Sequence, residues 1–248
     1  MLTRMEIKLK SDEHISQRSS YAFQGILMDM IDDSYAKKLH ISGLKPYSQH
    51  LSYKDGMLCW QINTLNEEAA NFIIRPLIDE SVCTFRMKQH DTVVEVIDRQ
   101  IYTIDEKELF KYNNSPQSSY NVILLKFVTP TAFKQNDRYT FIPDFKCIYN
   151  SLINKYNTCC TDNDKEKIEV NAEHLTDITE LISYKTESTY FRLKGVNIPG
   201  FTGVIKVRLK NKGNMGVIAC GLLHLSNYCG IGIKNSIGMG AVEITESY

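Results

Sequence analysis

The chain has no uninterrupted apolar run near the ~18 residues that a membrane-spanning helix needs, so no membrane partner is expected. Its first residues, MLTRMEIKLK, lack the basic stub and long apolar stretch of a secretory leader and instead alternate like a strand. No CxxC pair occurs, and the seven cysteines, an odd number set mostly in apolar runs, read as reduced thiols rather than a disulfide framework. A soluble, cytoplasmic protein is the expectation. Also missing are the GxxxxGK[ST] phosphate loop, the third glycine of a dinucleotide fingerprint and the GxSxG elbow of serine hydrolases. Cys159 and Cys160 are adjacent and lack zinc-site spacing, and Cys220, His224 and Cys229, conceivable as ligands, read as residues that fall near a helix end by chance. No cofactor and no metal site are therefore expected. Net charge is absent too, with 29 Lys plus Arg against 29 Asp plus Glu, so total charge argues neither for nor against nucleic acid. One further absence is local: from Ser188 to Gly240 there is no Asp or Glu.

Hydrophobic periodicity shows one pattern twice. Residues 4–10 alternate as a strand, 21–31 and 34–39 read as helices, and 49–54 and 57–65 flank Asp55-Gly56, a two-residue hairpin signal. Asn66 can cap a helix through about Asp79, and residues 93–104 form the next strand. The polar stretch 105–119 is the expected boundary between domains 1–117 and 118–248. The order then repeats, with strands at 120–129, 178–194, 201–210 and 241–245 and helices at 144–157 and 215–228. The expected class is α+β, with two tandem ferredoxin-like (RRM-like, βαββαβ) domains.

The acid-free span carries Arg192, Lys194, Lys206, Arg208, Lys210, Lys212 and Lys234. In IKVRLKNK, period-two alternation puts Lys206, Arg208, Lys210 and Lys212 on one strand face, a basic comb suited to a phosphate backbone. The plainer reading is a solvated strand face that discourages edge pairing. Downstream, CGIGIKNSIGMGAVEI places Gly230 and Gly232, then Gly238 and Gly240, between a helix and a strand. The loop follows the negative end of a helix dipole, so anion binding would rely on backbone amides and Lys234. The glycines let the backbone approach another surface, either RNA or the neighbouring domain.

This glycine pattern, with its five-residue spacing next to the carboxyl terminus, resembles the signature of the RAMP superfamily, and more narrowly the CRISPR-associated endoribonucleases that cut repeat RNA. GFTGVIKVRL, TPTAFK (ending at Lys134) and QGIL...LHISGLKPYS extend the resemblance over both halves. It implies tandem ferredoxin-like domains that bind CRISPR repeat RNA and cut precursor transcripts without a metal, by attack of a 2′-hydroxyl. It also implies roles for particular residues. His40, in the LH dipeptide after the first helical region, matches the family's histidine and is the candidate general acid or base; without the resemblance it reads as a helix C-cap. Lys45 stands where the family often has a stabilising lysine. Tyr47, Ser48 and His50 are candidates for catalytic support. Some members carry a tyrosine on the first helix, where Met28 stands here, with Tyr21, Tyr35, Tyr47 or Ser48 as geometric substitutes, or Lys45 and the backbone in its place. The RNA-binding set is Lys134, Arg192, Lys194, Lys206, Arg208, Lys210, Lys212, Gly230, Gly232, Lys234, Asn235, Ser236, Gly238 and Gly240. The alternative reading is a non-catalytic RNA-binding RAMP subunit of a CRISPR effector complex. Association with other Cas proteins and with a second copy of the chain stay open at this point.

Overall fold

The alternation in LTRMEIKLK becomes strand β1 (Leu2–Lys10), with Met5, Ile7 and Leu9 buried on one face and Arg4, Glu6 and Lys8 half-buried on the other. The computed structural model describes residues 1–87, 92–111, 121–161, 167–210 and 213–247. The expected boundary at 117–118, Lys212 and His90 lie outside the described residues. Helix α1 (Ser20–Met30) turns Phe23, Ile26 and Leu27 onto the sheet, and α2 (Asp33–Ile41) starts where the Asp32 carboxylate accepts from the amides of Ser34 and Tyr35. Strands β2 (Tyr47–Lys54) and β3 (Met57–Thr64) are joined through Asp55 and Gly56 at φ 51° and 78°, the left-handed pair a tight hairpin requires. Asn66 caps α3 (Glu67–Ala69), which continues through a widened π turn into α4 (Arg75–Ile78), where Pro76 removes one intrahelical donor. A short strand not expected from the sequence, β4 (Thr84–Met87), pairs with the start of β5 (Thr92–Ile104).

The second half opens on β6 (Asn121–Thr131) and a small hairpin, β7 (Phe133–Gln135) and β8 (Arg138–Thr140), to which the sequence pattern assigns no element. Helix α5 (Phe145–Lys155) is capped by Asp144 and runs into a π turn at Tyr156–Cys160; the connector then forms α6 (Ala172–Asp177). The long antiparallel pair β9 (Thr179–Leu193) and β10 (Val196–Leu209) leads to α7 (Asn214–Cys229) and β11 (Val242–Ser247). The sheets are ordered β2-β3-β1-β5-β4 and β11-β6-β10-β9. With β4 set aside, both sheets have the same order, two ferredoxin-like domains in tandem. No helix among the described residues is long and apolar enough to cross a membrane.

One core lies between the first sheet and α1, α2, α3 and α4; the other unites β6, β10, α5 and α7 and also takes in Leu2, Leu65 and Leu109 from the first half. Helix α7 is apolar almost all round because it is covered on more than one side. Its Ala219, Leu222 and Leu223 join the second core, while its carboxyl end packs on the far face of the first sheet. There the Ser48 hydroxyl donates to the Tyr228 carbonyl at 2.6 Å, and the Arg4 guanidinium donates to the Asn227 carbonyl at 2.8 Å and stacks 5.0 Å from the Tyr228 ring centroid. This explains why β2 is buried on both faces, whereas an exposed strand alternates.

Gly221 lies where α7 meets the segment before the second domain: a Cβ there would sit 2.4 Å from the Phe110 ring and 2.9 Å from the Leu109 carbonyl oxygen. Gly221→Val should therefore lower stability by about 2 kcal/mol, since the backbone carbonyl cannot swing aside. Urea denaturation measures this, and an unchanged midpoint would contradict the tight α7 packing.

Candidate nucleic-acid interface and active site

The loop between α7 and β11 is closed on itself by hydrogen bonds. The Ile231 amide donates to the Gly240 carbonyl at 2.8 Å and the Ile233 amide to Ala132 at 3.0 Å, while the Asn235 side-chain amide donates to the carbonyls of Ile231 (3.1 Å) and Met239 (3.0 Å). At Gly232, with φ 78°, a Cβ would fall 2.2 Å from the Ala132 oxygen; at Gly238, with φ 107°, it would fall 2.3 Å from the Ser20 side chain in the first domain. The neighbouring domain is thus one surface the glycines let the chain approach. The expectation that glycine amides receive phosphate is corrected. Gly230 donates to Ser226, Gly232 to the Ser151 hydroxyl, Gly238 to Asn235 and Gly240 to Pro130, so none of the four N–H groups is left for an anion. Asn235 is likewise buried and fully engaged. What the loop offers outward is the exposed Lys234, at φ 59°, and the half-buried Ser236.

These two residues border a depression of about 460 Å³ shared with Gln24, Gly43, Lys45 and Tyr47. Gln24 also lines an adjoining depression of about 320 Å³, formed with Tyr21, Met28, His40, Arg86 and Lys194. His40 sits exposed in the last turn of α2, so its ring is open to this cleft. Lys194 comes from the tip of the β9–β10 hairpin, at φ 46°, with its ammonium 5.8 Å from the Tyr21 ring centroid. Beneath it, Phe191, Ile198, Ile237 and Met239 form a small separate core that ties the hairpin tip to the glycine loop.

Lys45 has a different part from the one expected. Its ammonium donates to the carbonyls of Leu39 and Ser42, capping α2, and burial holds it below the usual lysine range. Tyr47 is buried; burial pushes its phenol up to about 12, partly offset by hydrogen bonds with Gln24 and Ser236, so it stays protonated at neutral pH. Tyr35 packs inside the first core, stacked on Phe72 with ring centroids 4.5 Å apart, and does not reach the cleft. Ser48 and His50 are corrections: both point into the seam against α7, not the cleft. With Asn63, Ser226 and Asn227 they line an enclosed cavity of about 10 Å³.

The basic comb is also altered. Lys206 and Arg208 do share the face turned away from the buried Ile205, Val207 and Leu209, but β9 brings an acid to Arg208. Arg208 pairs with Glu180 of β9 at 3.4 Å, and Lys126 of β6 pairs with Glu243 of β11 at 2.8 Å. Lys134 pairs with Asp137 at 2.7 Å. Arg192 and Lys210 are exposed.

A profile of the family described as CRISPR-associated endoribonuclease Cas6 matches residues 125–242. Over 251 residues the chain is 29% identical to the CRISPR-associated endoribonuclease Cas6 of Mycobacterium tuberculosis, covering 98% of this chain and 78% of the relative. It is 24% identical over 245 residues to the Streptococcus thermophilus Cas6, covering 99% of each. Among solved structures, a Cas6 product complex superposes with a TM-score of 0.78 at 20% identity, covering 99% of this chain and 100% of that one. A Thermus thermophilus Cas6 gives 0.69 at 20% identity, covering 99% and 98%. The chain is similar to Cas6 endoribonucleases along nearly its whole length.

The sequence reading missed Lys155. The last residue of α5, it is 5% exposed, and its ammonium donates to the carbonyls of Cys229 (3.2 Å) and Gly230 (3.0 Å) and to the Asn235 side-chain oxygen (2.5 Å). A signal was present: Lys155 follows Ile148 and Leu152 at helical spacing, a cation on an apolar stripe. Gln49 was missed as well; its side-chain amide donates to Ser20 at 2.9 Å and Ser236 at 3.3 Å, bridging α1 and the loop.

His50 supplies a pH test of the seam. Burial, with Arg4 and Lys54 adding to it and Glu243 opposing, pushes its imidazole down to about 4 from an ordinary value of about 6.5. Because the folded value is the lower one, the unfolded chain binds more protons between these limits. The stabilisation is complete above about pH 6.5 and is lost as pH falls toward 4. His50→Gln should flatten that part of a stability-versus-pH curve relative to the wild type; coincident slopes would place His50 in contact with water.

Proposed function

We propose that this protein is a metal-independent endoribonuclease that binds CRISPR repeat RNA and cuts precursor transcripts within the repeat. The observation that carries the reading is the cleft in which the exposed His40 of the first domain and Lys194 of the second line one depression, with Lys234 and Ser236 on the far side of Gln24. The Cas6 relatives are described as CRISPR-associated endoribonucleases, and the superposed structures include product and substrate-mimic complexes.

In the proposed reaction the ribose 2′-oxygen attacks the adjacent phosphorus, the bond from phosphorus to the 5′-oxygen breaks, and the products are a 2′,3′-cyclic phosphate and a 5′-hydroxyl. One proton leaves the 2′-hydroxyl and one reaches the departing 5′-oxygen. His40 serves one of these transfers, since an imidazole exchanges protons near neutral pH. Lys194 and Lys234 supply positive charge to the crowded phosphorane, and Lys194 takes the place expected of Lys45, whose ammonium is occupied by α2 carbonyls. Tyr47 remains a hydrogen-bond donor rather than a base. With Met28 at the helix-one position, a complete histidine–tyrosine pair is not part of the proposal.

Repeat RNA incubated with the protein in excess EDTA should be cut once per repeat, and replacing the attacking 2′-hydroxyl by hydrogen should abolish the cut. His40→Ala should lower the single-turnover rate by about a hundredfold or more while leaving RNA binding in place. A requirement for Mg²⁺ would overturn the mechanism. Binding without any turnover would favour the non-catalytic subunit.

A further inference from the structure

Among the described residues Lys155 carries the one buried ammonium, and the proposed chemistry leaves it unused. Its three acceptors are neutral: two carbonyls at the end of α7 and the start of the glycine loop, and the Asn235 amide oxygen. Burial lowers its affinity for a proton, and among the described residues no carboxylate is bonded to it. The partial negative charge at the α7 carboxyl end stands where a counter-ion would. All three ammonium donors are satisfied, so the group is not free to bond a substrate. It instead fixes Asn235, whose other side-chain atom holds the carbonyls of Ile231 and Met239, one from each limb of the loop. From Lys155 through Asn235 a single chain of hydrogen bonds thus sets the path of residues 229–240. Lys234 and Ser236, the loop's exposed lysine and its half-buried serine, lie inside that path.

We infer that Lys155 is a positioning residue for RNA binding: it latches the glycine-rich loop through Asn235 so that Lys234 and Ser236 face the phosphodiester. This rests on the ribonuclease reading above. A mainly stabilising role is a poor account of a lone buried cation, because an apolar side chain of similar length fills such a site at lower desolvation cost. The latch acts through Lys234, and that makes a coupling its signature.

The test compares wild type, Lys155→Met, Lys234→Ala and the double variant, using a repeat RNA with a 2′-deoxy substitution at the cut site, at a temperature where circular dichroism shows all four folded. Lys155→Met and Lys234→Ala should each weaken binding by about tenfold or more, the loss expected for a bond to a charged group. The double variant should bind no worse than the weaker single one. The slope of log affinity against log salt should fall by about 0.7 in each single variant and no further in the double. Independent, additive losses, or a Lys155→Met protein that binds like wild type, would overturn the inference. If Lys155→Met fails to fold, Asn235→Ala takes its place, since it breaks the latch while Lys155 keeps the Cys229 and Gly230 carbonyls as acceptors. Hydrogen exchange of the 231–240 amides in RNA-free protein separates the two readings. Protection that is lost in Lys155→Met supports the latch even if wild type ignores repeat RNA, in which case the ribonuclease reading fails alone. Protection unchanged by the substitution overturns the latch.

Discussion

The structure depends on α7 being buried from two directions. A helix that packs only on its own sheet leaves a polar stripe for water; α7 instead presents Leu222 and Leu223 to the second core and Asn227 and Tyr228 to the first sheet. The surface it meets there is polar: Arg4, Ser48 and Asn63 make hydrogen bonds in the seam, and His50 lines the same small enclosed cavity. Buried polar groups that are satisfied in only one arrangement specify that arrangement. The seam therefore sets where the α7 carboxyl end, and the loop that follows it, lie relative to α1 and α2.

The site follows from this constraint. His40 belongs to the first domain; Lys194, Lys234 and Ser236 belong to the second. No chemistry that needs both sets tolerates a sliding interface, since small misplacements of reacting groups are costly in rate. Gln49 reaching Ser236, Gly238 lying against Ser20, and the Lys194 ammonium over Tyr21 are three separate ties across the seam beside the cleft. The Tyr21 and Lys194 contact joins the hairpin tip to α1, while the Phe191 and Ile198 cluster joins that tip to the loop.

Much of the fold was legible in the sequence because long elements carry strong periodicity. Asp55-Gly56, Asn66 and Asp144 marked a hairpin and two helix starts by turn and capping chemistry, and the order of elements repeated. What escaped was short or decided in three dimensions. Strands β4, β7 and β8 run only three or four residues, too few for a pattern. The acid-free span suggested an unopposed basic face, but Glu180 and Glu243 lie just outside it in sequence and beside Arg208 and Lys126 in space. The glycine spacing suggested amides open to an anion, but the loop's amides face inward. His50 and Lys45 had suitable chemistry at suitable positions, yet their use depends on α7 and on the end of α2, which no local pattern reveals.

The central claim is that RNA lies in the cleft between the domains rather than on the open face of the second sheet. Photo-crosslinking with a repeat RNA carrying thiouridine beside a 2′-deoxy cut site tests it directly. The account predicts crosslinks to peptides containing Tyr21–Met28, His40–Tyr47 and Gly232–Ile237, the walls of the two adjoining depressions. Crosslinks confined to peptides around Lys126, Lys206 and Arg208 would contradict it.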